Sequence, residues 1–112
     1  MNTYNEDTVG TAQQLTTYGK AIEHLRAGGI AHREGWAQSG LYVFKQVPSK
    51  VPAEIVPKMS SLPDAVKARM TENNTSPNYQ NQMAIVKPDG SIDSWVASSS
   101  DTFAQDWILT NK

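Results

Sequence analysis

The feature of this chain that most constrains its fold is a turn sequence between two strand-like runs. Residues 87–90, Lys-Pro-Asp-Gly, favour a tight turn, because proline fixes φ and glycine accepts a positive φ. The run before the turn, 82–86, and the run after it, 91–96, contain β-branched, aromatic and other apolar side chains. This arrangement predicts a β-hairpin, and therefore an antiparallel sheet.

The second strand of this hairpin carries a tryptophan. Side chains alternate between the two faces of a strand, so Ile92 and Val96 lie on the face opposite Trp95. If the aliphatic pair faces the core, we expect Trp95 to face solvent, a cleft or another subunit. An indole in such a position is accessible to a ligand or a partner.

Residues 18–27 are predicted to form the first helix. Thr17 suits the N-cap, and the Gly28-Gly29 pair ends the helix by supplying a positive φ. The apolar residues that recur at helical spacing are Tyr18, Ala21, Ile22 and Leu25. Two further strands are predicted downstream, at 30–33 and 41–46, from their β-branched and aromatic content.

The stretch 47–80 is the least regular part of the chain. Four prolines punctuate it, and only residues 62–71 have the pattern of a helix. A plain loop of this length is uncommon in a small domain, so we interpret the stretch as an insertion, either a flap or an assembly arm.

The polar residues 1–16 are interpreted as a flexible arm, and 17–112 as a single domain. The predicted fold class is α+β. It comprises a small antiparallel sheet with a β-hairpin, packed by an N-terminal helix and a short C-terminal helix, plus the irregular helical insertion.

Composition excludes several function classes. A net charge of −1 over 112 residues is not the electrostatic footprint of a duplex nucleic-acid binder. The chain has no cysteine and two histidines, so neither a disulfide framework nor a metal site is expected. No apolar stretch suits a signal peptide or a membrane span, which favours a cytoplasmic location. Oligomerisation would help so small a domain to bury its surface.

The three tryptophans lie in two segments that also hold polar side chains. Trp36 stands between Gly35 and Gly40, and Trp95 precedes a serine-rich run that ends at Asp101. Indole faces stack on planar rings, while hydroxyls and a carboxylate bind a ligand's polar edge. The alternatives are that Trp36 folds over the sheet edge and that the serine run caps a helix over 102–107. We assign Trp107 to the core or an interface, because it closes an amphipathic turn with Phe103.

No arrangement of nucleophile, base and acid stands out in the sequence. Glu34 and Asp101 are the carboxylates that an acid–base pair would use, but they lie in distant loops and nothing places them together. His24 and His32 have the pattern of ordinary structural or surface residues. Glycine-rich phosphate-binding motifs do not occur. The residues therefore favour binding over catalysis.

Three segments of the chain resemble those of a known protein family. The resemblance rests on Arg-Glu-Gly-Trp at 33–36, Trp-Val-Ala-Ser at 95–98 followed by Asp101, and Asp-Trp at 106–107. These segments, in this order, are similar to small phage proteins of the Thoeris anti-defence 2 family. The family's members are sponges that sequester cyclic nucleotide signals made during antiphage defence.

The resemblance implies a compact α+β subunit that assembles into a homotetramer. It also implies pockets between subunits that bind cyclic ADP-ribose isomers, glycocyclic ADP-ribose above all, and in some relatives a separate site for cyclic dinucleotides. No cofactor and no catalysis are implied.

The resemblance also assigns roles to individual residues. Trp36 and Trp95 match the family's two tryptophans and would stack on the adenine ring. Arg33 would contact a phosphate or support the site as an ion pair. The remaining assigned positions, which would bind ribose and phosphate or fix the loop that does, are Ser98, Ser100 and Asp101. Tyr79 matches a tyrosine just before the hairpin.

The chain departs from the family pattern after the first tryptophan, where residues 37–39 read Ala-Gln-Ser, and at Ser94, where relatives have proline. The 47–80 region is also longer. These departures bear on the choice of ligand. The predicted function is sequestration of cyclic ADP-ribose-type signals without cleavage. The alternatives are a sponge for the cyclic dinucleotides of CBASS, a hydrolase of the same signals, and an interaction domain whose exposed tryptophans bind protein.

Overall fold

The structure is a computed structural model that describes residues 14–111. These residues form two compact units: one contains the chain up to Lys45 and from Met83 onward, and the other is Gln46–Gln82. Most of the predicted arm, residues 1–13, lies outside the described residues. Within the rest of that arm, Thr16 exchanges two backbone hydrogen bonds with Trp107, at 2.9 and 3.0 Å.

Residues 14–111 contain seven short strands, and five of them form the sheet of the first unit in the order β6-β5-β2-β1-β7. All paired neighbours in this sheet are antiparallel. The predicted α+β class is therefore confirmed. The strands are β1 (Ile30–Arg33), β2 (Tyr42–Lys45), β3 (Ser49–Lys50), β4 (Asn78–Tyr79), β5 (Met83–Val86), β6 (Ile92–Ser94) and β7 (Trp107–Thr110). The helices are α1 (Tyr18–Arg26), α2 (Asp64–Glu72) and α3 (Ser99–Phe103), with 3₁₀ turns at Glu34–Ser39 and Ala53–Lys58.

Helix α1 begins at the predicted residue, Tyr18, and ends at Arg26, one residue before the predicted end. The Thr17 hydroxyl accepts a hydrogen bond from the Lys20 N–H at 3.3 Å, which satisfies one of the free donors of the first turn. Past the last turn, Gly28 adopts φ +96°, a conformation that costs other residues steric strain. The predicted strands at 30–33 and 41–46 are confirmed as β1 and β2.

The core of the first unit lies between α1 and one face of the sheet. Ala21 and Leu25 of the helix pack on Ala31 of β1 and Val43 of β2, all at most 1% exposed. Trp107 completes this core and is 0% exposed. The assignment of Trp107 to the core is thus confirmed.

The predicted hairpin is confirmed as β5 and β6, but the expected orientation of Trp95 is wrong. Ile92 and Val96 are 59% and 88% exposed, whereas Trp95 is half-buried and packs against the core. Strand β6 ends at Ser94, so strict alternation does not extend to Trp95. An indole buries more apolar area than either aliphatic side chain, and this favours the observed orientation.

The predicted helix over 102–107 is also wrong. Helix α3 ends at Phe103, and Trp107 begins β7, which pairs with β1 from Ile30↔Thr110 to Arg33↔Trp107. Phe103 is 83% exposed and does not share a buried face with Trp107. Pairing with β1 satisfies the backbone N–H and C=O groups of a run of apolar residues. This tertiary effect overrides the local helical pattern.

The second unit, Gln46–Gln82, contains the β3/β4 pair, the turn Ala53–Lys58 and helix α2. Val56 is its fully buried aliphatic side chain. The helix predicted at 62–71 is present, with its start displaced to Asp64 because Pro63 takes the extended N-cap position. Whether this unit acts as a flap or as an assembly arm stays a prediction. In the part of the chain that the structure describes, no helix is long and apolar enough to span a membrane.

Candidate functional site

Four aromatic rings from four different segments meet in the first unit. Trp107 of β7 has its ring centroid 5.5 Å from those of Tyr18 and Trp36 and 6.0 Å from that of Trp95. Trp95 also contacts Trp36 at 6.1 Å and Tyr18 at 6.4 Å. We call these four residues the aromatic cluster. Trp107 forms its buried floor, and the other three rings are half-buried.

The rings of the aromatic cluster meet edge to face or tilted. The planes of Trp36 and Trp95 are 85° apart, and those of Trp95 and Trp107 are 79° apart. Edge-to-face contacts are favourable for aromatic pairs because the positive ring edge meets the negative ring face. Two rings that enclose a base must be parallel, so Trp36 and Trp95 of one chain do not enclose a base between themselves. Each indole can stack on a base only with a face that its neighbours leave accessible.

Asp101 closes the start of α3 with a capping box. Its Oδ2 atom accepts hydrogen bonds from the backbone N–H and the hydroxyl of Ser98, both at 2.9 Å. In return, the Asp101 N–H donates to the Ser98 hydroxyl at 3.1 Å. The reciprocal bonds fix the turn between Trp95 and α3. The capping alternative raised from the sequence is therefore part of the structure.

Arg33 joins this turn to the end of β1. Its Nη1 atom donates to Asp101 Oδ1 at 3.1 Å, and its Nε atom donates to Asp106 Oδ1 at 2.9 Å. A quarter of the Arg33 side chain remains exposed. The guanidinium therefore contacts both ends of the segment that connects α3 to β7. Of the two roles that the resemblance implies for Arg33, this geometry is that of an ion pair and not of a free cation.

The electrostatics of this ion-pair network favour the charged forms of Asp101 and Arg33. Burial of the Asp101 carboxylate opposes ionisation, but hydrogen bonds from Ser98 and Arg33 outweigh burial and lower the pKa of Asp101. Hydrogen bonds to Asp106 and Asp101 raise the pKa of Arg33. Burial, with a smaller contribution from the charge of Asp101, raises the pKa of Tyr18, so its hydroxyl stays protonated at neutral pH. A carboxylate bonded in this way is a poor general base.

The serine run and its neighbours face outward. Ser98 and Ser100 are exposed at the start of α3; the Ser98 hydroxyl is engaged by Asp101, and the Ser100 hydroxyl can reach a ligand. Val96 precedes α3 and Phe103 is its last residue, and they are among the most exposed apolar side chains described, at 88% and 83%. These two side chains leave apolar area at the surface beside the polar turn.

Tyr79 lies in the second unit. It pairs with Ser49 in the β3/β4 ladder and lines an open groove of about 490 Å³ together with Gln46 and Met59. The structure therefore brings together six of the seven predicted site residues in one unit and places Tyr79 in the other.

Two residues of this region escaped the sequence argument. Tyr18 was assigned to a helix face, although its ring joins the aromatic cluster. Asp106 was noted beside Trp107, but its ion pair with Arg33 spans 73 positions of sequence, and no local pattern indicates it. Among residues 14–111, no group of three or more acidic or histidine side chains is placed to hold a metal ion.

Comparison with known proteins gives two matches. Residues 16–110 match the model of a family described as Thoeris anti-defense 2-like domain. The protein named Thoeris anti-defense 2 of Bacillus phage SP01 is 25% identical over 95 residues, which span 85% of this chain and 94% of that protein. The matched region includes both units and the whole aromatic cluster.

Proposed function

Since the chain belongs to the Thoeris anti-defense 2-like family and so has a role in phage anti-defence, we propose that it binds and sequesters a cyclic ADP-ribose-type immune signal without cleaving it. Glycocyclic ADP-ribose is the proposed ligand. The proposed place of action is the cytoplasm of the infected bacterium. Sequestration lowers the free concentration of the signal below the dissociation constant of the host effector, which then stays inactive.

The observation that carries this proposal is the position of Trp95, which belongs to the aromatic cluster and directly precedes the capped turn. Trp95 is half-buried, and none of its three ring neighbours lies parallel to it, at 60°, 85° and 79°. A flat, fixed indole without a parallel partner is suited to stack on a nucleobase, and such stacking contributes about 1–3 kcal/mol per base. Ser100 follows within five residues and offers a hydroxyl for the ribose and phosphates, while the Ser98 hydroxyl fixes the turn through its bonds with Asp101.

The ion-pair network supports binding rather than catalysis. Both oxygens of Asp101 are engaged, one by Arg33 and the other by Ser98. A hydrolase that used Asp101 as its base would need that carboxylate free to take a proton from water. In the proposed function, Asp101 fixes the turn that presents Ser98 and Ser100, and Arg33 supports the turn from β1. The exposed quarter of Arg33 is the part that a phosphate could reach.

We further propose that the protein acts as a homotetramer whose pockets lie between subunits. The rings of Trp36 and Trp95 from one chain are 85° apart, so a second surface is needed to enclose a base. A small ligand bound tightly is usually enclosed over most of its surface. The exposed Val96 and Phe103 beside the turn are apolar groups that a neighbouring subunit would cover.

The deciding experiment incubates the protein with a cyclic ADP-ribose isomer, removes unbound ligand, denatures the protein by heat and identifies the released compound by mass spectrometry. Release of the intact signal at about one equivalent per site is the expected result. Release of a hydrolysed product would refute sequestration and favour the enzyme.

The same assay is run in parallel with cyclic dinucleotides. Release of intact cyclic dinucleotide, with no retention of cyclic ADP-ribose isomers, would replace the proposed ligand with the CBASS class. A complete lack of thermal stabilisation by both panels would favour an interaction domain whose tryptophans bind protein.

A further inference from the structure

Trp95 does not belong to a regular element, so its orientation depends on its neighbours. The residue follows β6 and precedes α3, and its backbone is held by one hydrogen bond from its N–H to the Met83 carbonyl, at 3.0 Å. A bond to the backbone fixes the position of the Cα atom but leaves the side-chain rotamer open. The ring contacts within the aromatic cluster must therefore select the plane of the indole.

Tyr18 is a ring neighbour of Trp95 whose backbone is held by helix α1. It is the first residue of α1, whose start is held by the Lys20 N–H bond to the Thr17 hydroxyl and by the Ala21 N–H bond to the Thr17 carbonyl, at 3.3 and 3.0 Å. One turn further along, Ala21 is fully buried in the core. The backbone of Tyr18 is thus tied to the rigid part of the unit.

Tyr18 and Trp36 each contact both Trp95 and Trp107. Trp107 is held in the core, because it is fully buried and donates its Nε1 hydrogen to the Asp101 carbonyl at 2.9 Å. The Trp95 indole therefore rests on Trp107 and is contacted by one ring from α1 and one from the Glu34–Ser39 turn. Removal of either neighbouring ring would allow Trp95 to take another rotamer.

We propose that Tyr18 is a positioning residue of the ligand site, whose ring fixes the indole plane of Trp95 for stacking on a planar base. This inference rests on the function proposed above. It assigns the role to the ring of Tyr18 and not to its hydroxyl, so phenylalanine should replace tyrosine at this position and a small side chain should not.

The first test needs no ligand. Protein labelled with 5-fluorotryptophan gives one ¹⁹F signal for each of its three tryptophans, assigned with single Trp→Phe variants. Tyr18→Ala is expected to shift or broaden the Trp95 signal, whereas Tyr18→Phe leaves it in place. Ile22→Ala, a change at a half-buried residue of the same helix that does not pack against the buried core cluster, is the control. An unmoved Trp95 signal in Tyr18→Ala would overturn the proposal.

The second test measures affinity for a cyclic ADP-ribose isomer by calorimetry. Tyr18→Ala is expected to weaken binding at least about 10-fold, Tyr18→Phe by less than about 2-fold, and Ile22→Ala not at all even where it lowers the melting temperature. Equal losses in Tyr18→Ala and Tyr18→Phe would show a direct hydroxyl contact and overturn the positioning role. If the wild type binds no signal, the proposed function fails, while the ¹⁹F spectra still decide whether Tyr18 positions Trp95.

Discussion

The Trp107 indole donates its Nε1 hydrogen to the backbone carbonyl of Asp101 at 2.9 Å. The side chain of the same aspartate accepts hydrogen bonds from Arg33 and Ser98. Asp101 is thus joined to the core through its main chain and to β1 through its carboxylate. The polar turn of the candidate site and the floor of the aromatic cluster are consequently one connected structure.

Trp107→Phe tests this connection. The smaller ring leaves a void in a site that is 0% exposed, and the Asp101 carbonyl loses its donor. Loss of buried volume together with a hydrogen bond is expected to lower the free energy of unfolding by about 2–4 kcal/mol. Urea unfolding followed by far-UV circular dichroism measures the change. A loss below about 0.5 kcal/mol would show that Trp107 is not a core residue.

Asp101→Asn tests the charged network. The amide keeps one acceptor oxygen but loses the charge that strengthens the bonds to Arg33 and Ser98, so we expect a loss of about 1–3 kcal/mol at pH 7. Asp93→Asn is the matched control, because Asp93 pairs with Lys87 at an exposed site and is expected to change stability little. Equal stability of both variants would contradict a structural role for Asp101.

The same variant should change the dependence of stability on pH. The pKa of Asp101 is lower in the folded chain than in the unfolded chain, where the pKa of an aspartate is about 3.9. Its contribution is therefore complete above the unfolded value and is lost as the pH falls through the folded value. The wild type should lose stability more steeply than Asp101→Asn below about pH 4. Parallel curves between pH 5 and pH 2 would refute the assignment.

Trp95→Ala tests the stacking role. Loss of the indole face is expected to raise the dissociation constant for a cyclic ADP-ribose isomer about 5- to 150-fold, the equivalent of 1–3 kcal/mol of base stacking. Ile92→Ala changes an exposed residue at the start of β6 and is the control for effects on the hairpin. Calorimetry on variants with native circular dichroism spectra measures the effect. Unchanged affinity in Trp95→Ala would remove Trp95 from the site.

Phe103→Ser tests the proposed assembly. Phe103 is 83% exposed in the single chain, so replacing it should leave the fold of the subunit intact. If another subunit covers Phe103, the variant should shift the sedimentation pattern from tetramers towards smaller species at micromolar concentration. Val47→Ser, which changes a 75% exposed residue of the second unit, is the matched control. A wild type that sediments as a monomer would refute the homotetramer.

Local sequence signals predicted the elements whose boundaries depend on local chemistry. Thr17 and Gly28 bound α1, and the turn at 87–90 produces the β5/β6 hairpin. The capped turn before α3 was also foreseen from its serines and Asp101. These features depend on hydrogen bonds and φ values within a few residues, and such interactions can be inferred from the sequence alone.

Features that depend on long-range pairing could not be predicted in the same way. Strand β7 forms because β1 offers it a partner 74 to 80 positions away, from Arg33↔Trp107 to Ile30↔Thr110. The burial of Trp95 depends on rings from α1 and β7 that have no sequence relation to the hairpin. In both cases, tertiary packing overrides a local pattern, and the pattern by itself was misleading.

Gly29 and Gly19 provide a paired test of the packing around α1. A Cβ atom at Gly29 would overlap the imidazole of His24, whose Nε2 atom donates to the Thr110 carbonyl at 2.6 Å. Gly29→Ala must therefore displace His24 and break its link to the end of β7, which we expect to lower stability by about 1–3 kcal/mol.

Gly19→Ala is the matched control. Within α1, a Cβ atom at Gly19 meets only the Thr17 hydroxyl oxygen, at an ordinary 3.8 Å. Here alanine should raise stability by about 0.4–1 kcal/mol, because it reduces the entropy of the unfolded chain at a helical position. The two changes are chemically identical, so opposite signs in urea unfolding can come only from their surroundings. Stabilisation of the protein by Gly29→Ala would contradict the packing of His24 against the β7 end of the sheet.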